Sequence, residues 1–416
     1  MQISFFGGAS EVGRSAIFLN GEKKFLLDYG IKINNKTEYP LPLPYAPDAY
    51  ILSHAHLDHS GYSPFLYTHG TVPAYGTPPT IELSELLIND SIKINKRKRQ
   101  RQDFSKSDLK RFERAYVPCD YGAEFDIGNF TISLFDAGHI TGSAITLIVN
   151  RQTGKRLVYT GDFKLEPQLL QTGAKVVKSD VLIIESTYAD REHPDRAALA
   201  KSFIEEVKEI VENNGTALVP VFAVGRAQEI LTLLYKNNLI HYAVIDGMAQ
   251  KASEIVMHYP DYAPNKDMLF AALKNATWIG NEISRSRIGS PSIVVTTAGM
   301  LNGGPVLDYI FMLNKRSKIF LTGYQLEGTN GRNLLEGKPI IVNSKKHVIK
   351  TPVSYYDFSA HAGRKDLYEY VRKSNPEKVI CVHGDAKVAA DFAESLKLEG
   401  FDAVAPKLGE TVNVPL

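Results

Sequence analysis

The sequence predicts an α/β protein in two parts, the first of which is resumed near the C-terminal end. Apolar runs that read as buried strands deliver Asp28, His54, His139, Asp162 and Glu185 at or just beyond their ends. After about residue 190 the pattern changes to alternating helices and strands, and ligand-type residues return around His361 and His383. At 416 residues the chain exceeds one ordinary hydrophobic core, so two domains are expected. Hydrophobic residues at 44% and charged residues at 23% exclude a disordered or fibrous chain. A net charge of +2 excludes a globally basic surface, so any polyanion site must be a local groove.

The opening Met1–Phe6 reads as a strand; Gly7, Gly8 and Gly13 interrupt it before residues 15–19 resume the extended pattern, which predicts a first hairpin. This start lacks the basic segment of a signal peptide, and no apolar stretch approaches membrane length. The expectation is an intracellular, cytoplasmic protein with no membrane partner. Residues 24–27 form an apolar strand ending at Asp28, a carboxylate suited to orienting metal ligands from behind. Residues 31–48, rich in Asn and Pro, are expected to form a loop. Ala49-Tyr50-Ile51-Leu52 then reads as a buried strand running into Ser53-His54-Ala55-His56-Leu57-Asp58-His59.

From Pro79 to about Lys110 the pattern is helical and includes Lys93, Lys96, Arg97, Lys98, Arg99 and Arg101. A solvated helix face competes here with a phosphate-contacting patch beside an active site. Strand-like alternation over 130–136 leads to His139, between glycines; 156–159 leads to Asp162, and 181–184 to Glu185. Beyond residue 190 an amphipathic helix is expected over 197–213 and a buried strand over 217–221, and Gly225-Arg226 opens the next helix. Further strands are expected over 242–245, 292–297 and 318–322. Each ends in a glycine turn, as at Gly299-Met300, whose backbone amides can cradle phosphate. Cys119 and Cys381, far apart in sequence, are expected to be reduced, buried thiols.

His54, His56, Asp58 and His59 fall within six residues where a strand gives way to a loop. So many titratable groups buried together would repel or go unsatisfied without an ion. His54 and His56 can converge on one cation while Asp58 and His59 face a second. Adding His139, Asp162 and His383 gives enough ligands for two adjacent metals, with Asp162 the best bridge between them. Imidazoles and carboxylates without thiolate favour zinc over manganese or magnesium.

The HxHxDH cluster, His139, Tyr159-Thr160-Gly161-Asp162 and Val382-His383-Gly384 together resemble the metallo-β-lactamase superfamily. The long stretch between Asp162 and His383, with Glu185, His361 and His383 as its motifs, resembles the β-CASP branch of nucleases. Glu185-Ser186-Thr187-Tyr188, Phe222 to Glu229 and Asp357 to His361 look most like compact archaeal and bacterial relatives of the endonuclease subunit of the cleavage and polyadenylation specificity factor. The resemblance implies an αββα sandwich (1–189 and 356–416) with an inserted α/β β-CASP domain over 190–355. It implies one zinc on His54, His56 and His139, another on Asp58, His59 and His383, with Asp162 bridging and Asp28 orienting ligands. Asp58, His361 and Glu185 would be catalytic, His361 assisting the leaving oxygen with Glu185 in support. Ser359, Gly299, Met300, Arg226 and the basic run Lys96, Arg97, Lys98 and Arg99 would contact RNA.

A histidine at 383, where DNA-acting branches carry valine, points towards RNA. The chain is expected to lack the N-terminal KH domains of one archaeal group and the extra C-terminal domain of RNase J, so RNA affinity would come from a groove between domains. The expected activity is hydrolysis of single-stranded RNA by hydroxide attack, endonucleolytic with 5′-to-3′ exonucleolysis as a second mode, in RNA processing or decay. A homodimer follows from family habit. Two rivals are a thioesterase- or lactonase-type hydrolase and a non-catalytic scaffold subunit. The inserted domain and His361 argue against the first, and the complete ligand set against the second.

Overall fold

A computed structural model describes residues 1–33 and 36–416. The chain divides into two compact units, Met1–Glu192 with Ala360–Leu416, and His193–Ser359. These divisions fall three or four residues beyond the 189/190 and 355/356 boundaries expected from sequence. The displacement has a local cause. The backbone N–H groups of Arg364 and Lys365 donate to the Arg191 carbonyl and to Glu192 Oε1, which holds residues 191–192 in the first unit. Tyr356 hydrogen-bonds Glu206, and the Phe358 ring packs edge-on against Phe203, which holds residues 356–358 in the second.

The first unit contains two seven-stranded sheets. One runs in the order Thr411–Asn413, Gln2–Gly7, Ala16–Asn20, Lys24–Leu27, Ala49–Ile51, Ala74–Gly76 and Tyr116–Pro118. The other runs Asp402–Val404, Lys378–Val382, Val181–Glu185, Arg156–Tyr159, Ala144–Asn150, Phe130–Asp136 and Glu124–Ile127. Side chains alternate across each strand, and this period of two builds three cores. Ile17, Leu19, Phe25 and Leu27 face Ile132, Leu134, Leu157 and Ile183 between the sheets. Phe25 meets Phe130 edge-on at 5.3 Å, a contact worth about 0.5–1.5 kcal/mol beyond its buried area.

The alternate residues Phe18, Leu26 and Tyr50 turn outward onto Ile88 of the helix Pro78–Lys98 and Phe112 of the helix Lys106–Ala115. On the opposite side Val158, Leu182 and Ile184 meet Leu367 and Val371 of the helix Arg364–Ser374 and Phe392 of the helix Ala386–Leu398. The result is an αββα sandwich.

Two local expectations need correction. The helical stretch 79–110 is two helices. Arg99 adopts a left-handed conformation, and Ser105 starts a new helix with a reciprocal capping box to Asp108. The loop 31–48 carries a short antiparallel pair, Lys32–Ile33 with Thr37–Glu38; its residues 34–35 lie outside the described residues. Cys119 and Cys381 are both buried and unpaired. Among the described residues no helix is long and apolar enough to cross a membrane.

The second unit is an open parallel sheet in the order Thr277–Trp278, Ala243–Asp246, Ser292–Thr296, Thr216–Pro220, Lys318–Leu321 and Val353–Tyr355. Its central strands Ser292–Thr296 and Thr216–Pro220 are buried along their whole length, as expected of parallel strands covered on both faces.

Candidate metal centre

Strand ends of the sandwich deliver the chemistry. Leu27 leads to Asp28, and Ile51 leads through Ser53 to His54 and the short helix Leu57–Ser60, which carries Asp58 and His59. Asp136 leads to His139, Tyr159 to Asp162, and Val382 to His383, while Glu185 closes its own strand. Gly161, at φ +52°, turns the chain so that Asp162 can enter the site. A Cβ on Gly161 would fall 2.8 Å from the Ser53 Cβ. Asp28 and His383 themselves adopt left-handed backbone conformations, which aim their side chains away from the strand pleat.

Asp28 is fully buried and accepts four hydrogen bonds, from Ser53 N and Oγ at 2.7 Å each, Tyr159 Oη at 2.7 Å and His59 Nδ1 at 2.6 Å. Because a carboxylate only accepts, His59 must carry a proton on Nδ1, so its Nε2 faces the site. His139 Nδ1 likewise donates to the Ala360 carbonyl at 2.9 Å, and its Nε2 stands 3.1 Å from His56 Nδ1. Asp162 Oδ2 lies 3.3 Å from His59 Nε2, 3.6 Å from His54 Nε2 and 3.9 Å from His139 Nε2, while Oδ1 lies 3.1 Å from His383 Nδ1. His383 Nε2 in turn lies 3.4 Å from Asp58.

The ligand-type atoms fall into three overlapping groups. His54, His56 and His139 form one; Asp58, His59, Asp162 and His383 form another; the third joins His139 and Asp162 to His361. Burial, reinforced by neighbouring imidazoles, pushes His54 and His139 well below the ordinary imidazole range, and burial lowers His56 as well. Burial works in the same sense on His59 and His383, but there the carboxylates win. Asp162 and Asp28 hold His59 well above its usual value, and Asp162 and Asp58 raise His383 to about 10. Conversely, His383 and His59 overcome burial and hold Asp58 and Asp162 well below the carboxylate range.

A divalent metal fits this donor set. The Nε2 atoms of His54, His56, His59 and His383 are buried and make no hydrogen bond, an arrangement that is costly unless a cation accepts their lone pairs. A metal entering beside His59 and His383 must displace protons, so affinity there rises with pH. Asp28→Ala removes the partner that fixes the His59 ring. It is expected to weaken metal binding about 10- to 100-fold, measured by competition with a chromogenic chelator.

Beside the ligands, His361 Nδ1 meets Glu185 Oε2 at 3.0 Å and Oε1 at 3.2 Å, and Glu185 Oε1 also accepts from Phe163 N. Burial lowers the basicity of His361, but Glu185 and then Asp162 outweigh it and raise the imidazole above its ordinary value. Glu185 is buried, whereas the His361 side chain keeps 22% of its surface, so the pair can present a proton to a substrate.

The other expected RNA contacts are spread over both units. Arg226, Gly299, Met300 and Ser359 belong to the second unit, where Arg226 starts the helix Arg226–Lys236. Lys96, Arg97, Lys98 and Arg99 are exposed at the end of the helix Pro78–Lys98. Its opposite end is tied by Thr77 and Thr80 to the Gly142 carbonyl in the His139 loop, so the basic run stands roughly 25 Å further along the axis. A patch directly beside the active site is therefore not what this run provides.

Sequence reading missed several supports. Ser53 and Tyr159 hold Asp28, and Thr187 donates to the His383 carbonyl at 3.0 Å. The buried Lys164 donates to the His361 carbonyl at 3.3 Å. Ser53 and Tyr159 adjoin ligand motifs and were findable on that ground; a backbone carbonyl such as that of Ala360 carries no sequence signal.

Stacked sheets whose strand ends gather imidazoles and carboxylates around one carboxylate define a metal-dependent hydrolase. Similarity to known proteins narrows the class further. A beta-lactamase superfamily domain matches residues 25–221, a Beta-Casp domain 227–334, and a Zn-dependent metallo-hydrolase RNA specificity domain 346–406. The chain is 41% identical to the probable RNase MJ4 of Methanocaldococcus jannaschii, over the full length of both. It is 33% identical to RNase aCSPSF2 of Saccharolobus solfataricus, covering 99% of this chain and 85% of that one. The transcription termination factor FttA of M. jannaschii is 35% identical, covering 95% of this chain and 69% of that protein. A crystal structure of a protein of unknown function from Enterococcus faecalis V583 shares the fold, with a TM-score of 0.61, 15% identity and 99% coverage of both chains. The chain belongs to the β-CASP family of the metallo-β-lactamase superfamily.

Proposed function

We propose that this metal-dependent ribonuclease cuts single-stranded RNA with two zinc ions per chain, leaving 5′-phosphate and 3′-hydroxyl ends. The observation that carries the reading is the pairing of two ligand groups around Asp162 with the His361–Glu185 couple beside them. His54, His56 and His139 would hold one ion, and Asp58, His59 and His383 the other, with Asp162 shared. Nitrogen-rich, thiolate-free ligation supports zinc over manganese or magnesium. When bound, the metals supply Lewis acidity toward the phosphoryl oxygen and make water acidic enough to attack at neutral pH.

The protein's own groups carry the protons. Asp58, kept ionised by His383 and His59, accepts a proton from the attacking water as its oxygen bonds to phosphorus. The bond from phosphorus to the 3′ oxygen breaks, and His361 donates its proton to that oxygen while Glu185 stabilises the charged imidazole.

Metal analysis alongside cleavage of a 5′-labelled linear RNA and a circular RNA of the same sequence tests the proposal. Two zinc ions per chain with cutting of the circle support an endonuclease. Release of labelled mononucleotide from the linear strand alone makes 5′-to-3′ exonuclease the activity. No cleavage of either, at full zinc occupancy, sinks the ribonuclease reading.

The basic run at the far end of the helix Pro78–Lys98 is proposed to contact RNA at a distance from the cut. Removing the charges of Lys96, Arg97, Lys98 and Arg99 together is expected to weaken RNA binding and flatten its dependence on salt, by about 0.7 in log–log slope per lost phosphate contact. An unchanged slope returns the run to a solvated helix face. A homodimer in the cytoplasm completes the proposal, and sedimentation equilibrium checks the assembly.

A further inference from the structure

Phe222 is an aromatic side chain left 38% exposed in a segment that is otherwise tied down. It lies two residues past the end of the strand Thr216–Pro220, whose neighbour in the sheet is Ser292–Thr296. From Thr216–Pro220 the chain crosses to Ala243–Asp246 on one side; from Ser292–Thr296 it crosses to Lys318–Leu321 on the other. Each connection passes the other strand, and Phe222 stands at the carboxyl end of a central parallel strand, the edge of an open α/β sheet at which ligands usually bind.

The ring rests on two glycine turns. A Cβ on Gly299 would fall 3.5 Å from Phe222 Cδ2 and 3.1 Å from its backbone nitrogen; one on Gly323 would fall 3.4 Å from Cε2. Both turns are fixed by a single buried amide, because Gln325 Nε2 donates to the Gly323 carbonyl at 2.8 Å and to the Gly299 carbonyl at 3.3 Å. The flanks of Phe222 are equally constrained. Val221 N donates to the Thr296 carbonyl, Ala227 N to the Phe222 carbonyl, and the buried Gln228 ties Gly225 N to the Ala223 carbonyl. An exposed apolar ring held this rigidly loses little freedom when a flat partner covers it.

We propose that Phe222 is a stacking platform for one nucleobase of single-stranded RNA. This rests on the ribonuclease reading and adds a base-binding subsite on the second unit. Stacking needs only a π-face, so the subsite accepts any base and senses only whether one is there.

The test compares wild type, Phe222→Ala, Phe222→Leu and Phe222→Trp in steady-state cleavage. Substrates are one single-stranded oligoribonucleotide and a series in which one ribose at a time lacks its base. Phe222→Ala and Phe222→Leu are expected to raise KM about 5- to 100-fold, and Phe222→Trp to keep it near wild type. One abasic position should raise the wild-type KM by a similar factor yet add nothing in Phe222→Leu. Leucine fills the shelf without a π-face, so it reports on stacking even if alanine unfolds the turn. Equal penalties for every abasic position in wild type and Phe222→Leu, or a wild-type KM for Phe222→Leu, overturn the proposal. If the wild-type chain cleaves RNA in that outcome, the subsite alone fails. If the wild-type chain cleaves no RNA at all, the ribonuclease reading fails, and the same substrate series read by equilibrium binding decides the subsite by the same pattern of penalties.

Discussion

Asp162→Ala is expected to strip the protein of bound metal and abolish RNA cleavage while the sandwich stays folded. No other carboxylate among the described residues stands within 4 Å of His54, His59 and His139 at one oxygen and of His383 at the other. Removing it takes away the charge shared by both ligand groups, a larger loss than that of an orienting residue. The fall in metal affinity should therefore exceed the roughly 100-fold ceiling typical of such supporting residues. Elemental analysis after gel filtration, read beside cleavage of labelled RNA, checks both effects. Full activity in this variant would remove Asp162 from the centre of the site.

His361→Ala is expected to do the opposite to metal and the same to rate. The imidazole is engaged through Nδ1 with Glu185, so metal content should persist while cleavage drops about 10²- to 10⁴-fold, the range for loss of a positioned general acid. Loss of metal would instead make His361 a ligand, a possibility the geometry raises because Nδ1 is 3.9 Å from Asp162. The carboxylates raise the basicity of His361, so its protonated form persists to higher pH, and activity that needs that proton declines as pH rises through the raised value. Glu185→Gln removes the main raising influence, so the alkaline limb of the pH–rate profile should move to lower pH. A limb that stays in place would separate Glu185 from the proton transfer.

The clustered candidate ligands are legible in the sequence because each sits at or beyond the end of an apolar strand, where a sequence announces both the element and its exit. Four of them also crowd into six residues at His54 to His59. What holds the ligands in orientation was less visible. Asp28 could be suspected from its place after Leu27, but its four donors come from residues as distant as Tyr159. His139 is oriented by the carbonyl of Ala360, more than two hundred residues away, and any residue type could supply that atom. The break at Arg99 was readable in principle, since Ser105 and Asp108 stand at capping-box spacing. The helical periodicity on both sides concealed it. The basic run 96–99 shows a different limit, because composition identifies charge but not where along a helix it falls relative to a loop contributed from residues 138–143.

The strand Lys378–Val382 lies between Val181–Glu185 and Asp402–Val404, so His383 reaches the centre only by inserting beside a strand made some two hundred residues earlier. Domains emerging from the ribosome fold in order, the N-terminal portion first. A partly translated chain therefore exposes His54, His56, Asp58, His59, His139 and Asp162 while both His361 and His383 are still unmade. The order of the polypeptide therefore separates the parts of the site in synthesis: a chain that stops short of residue 361 carries six of the clustered groups but neither the His361 imidazole beside Glu185 nor the His383 imidazole beside Asp162 and Asp58.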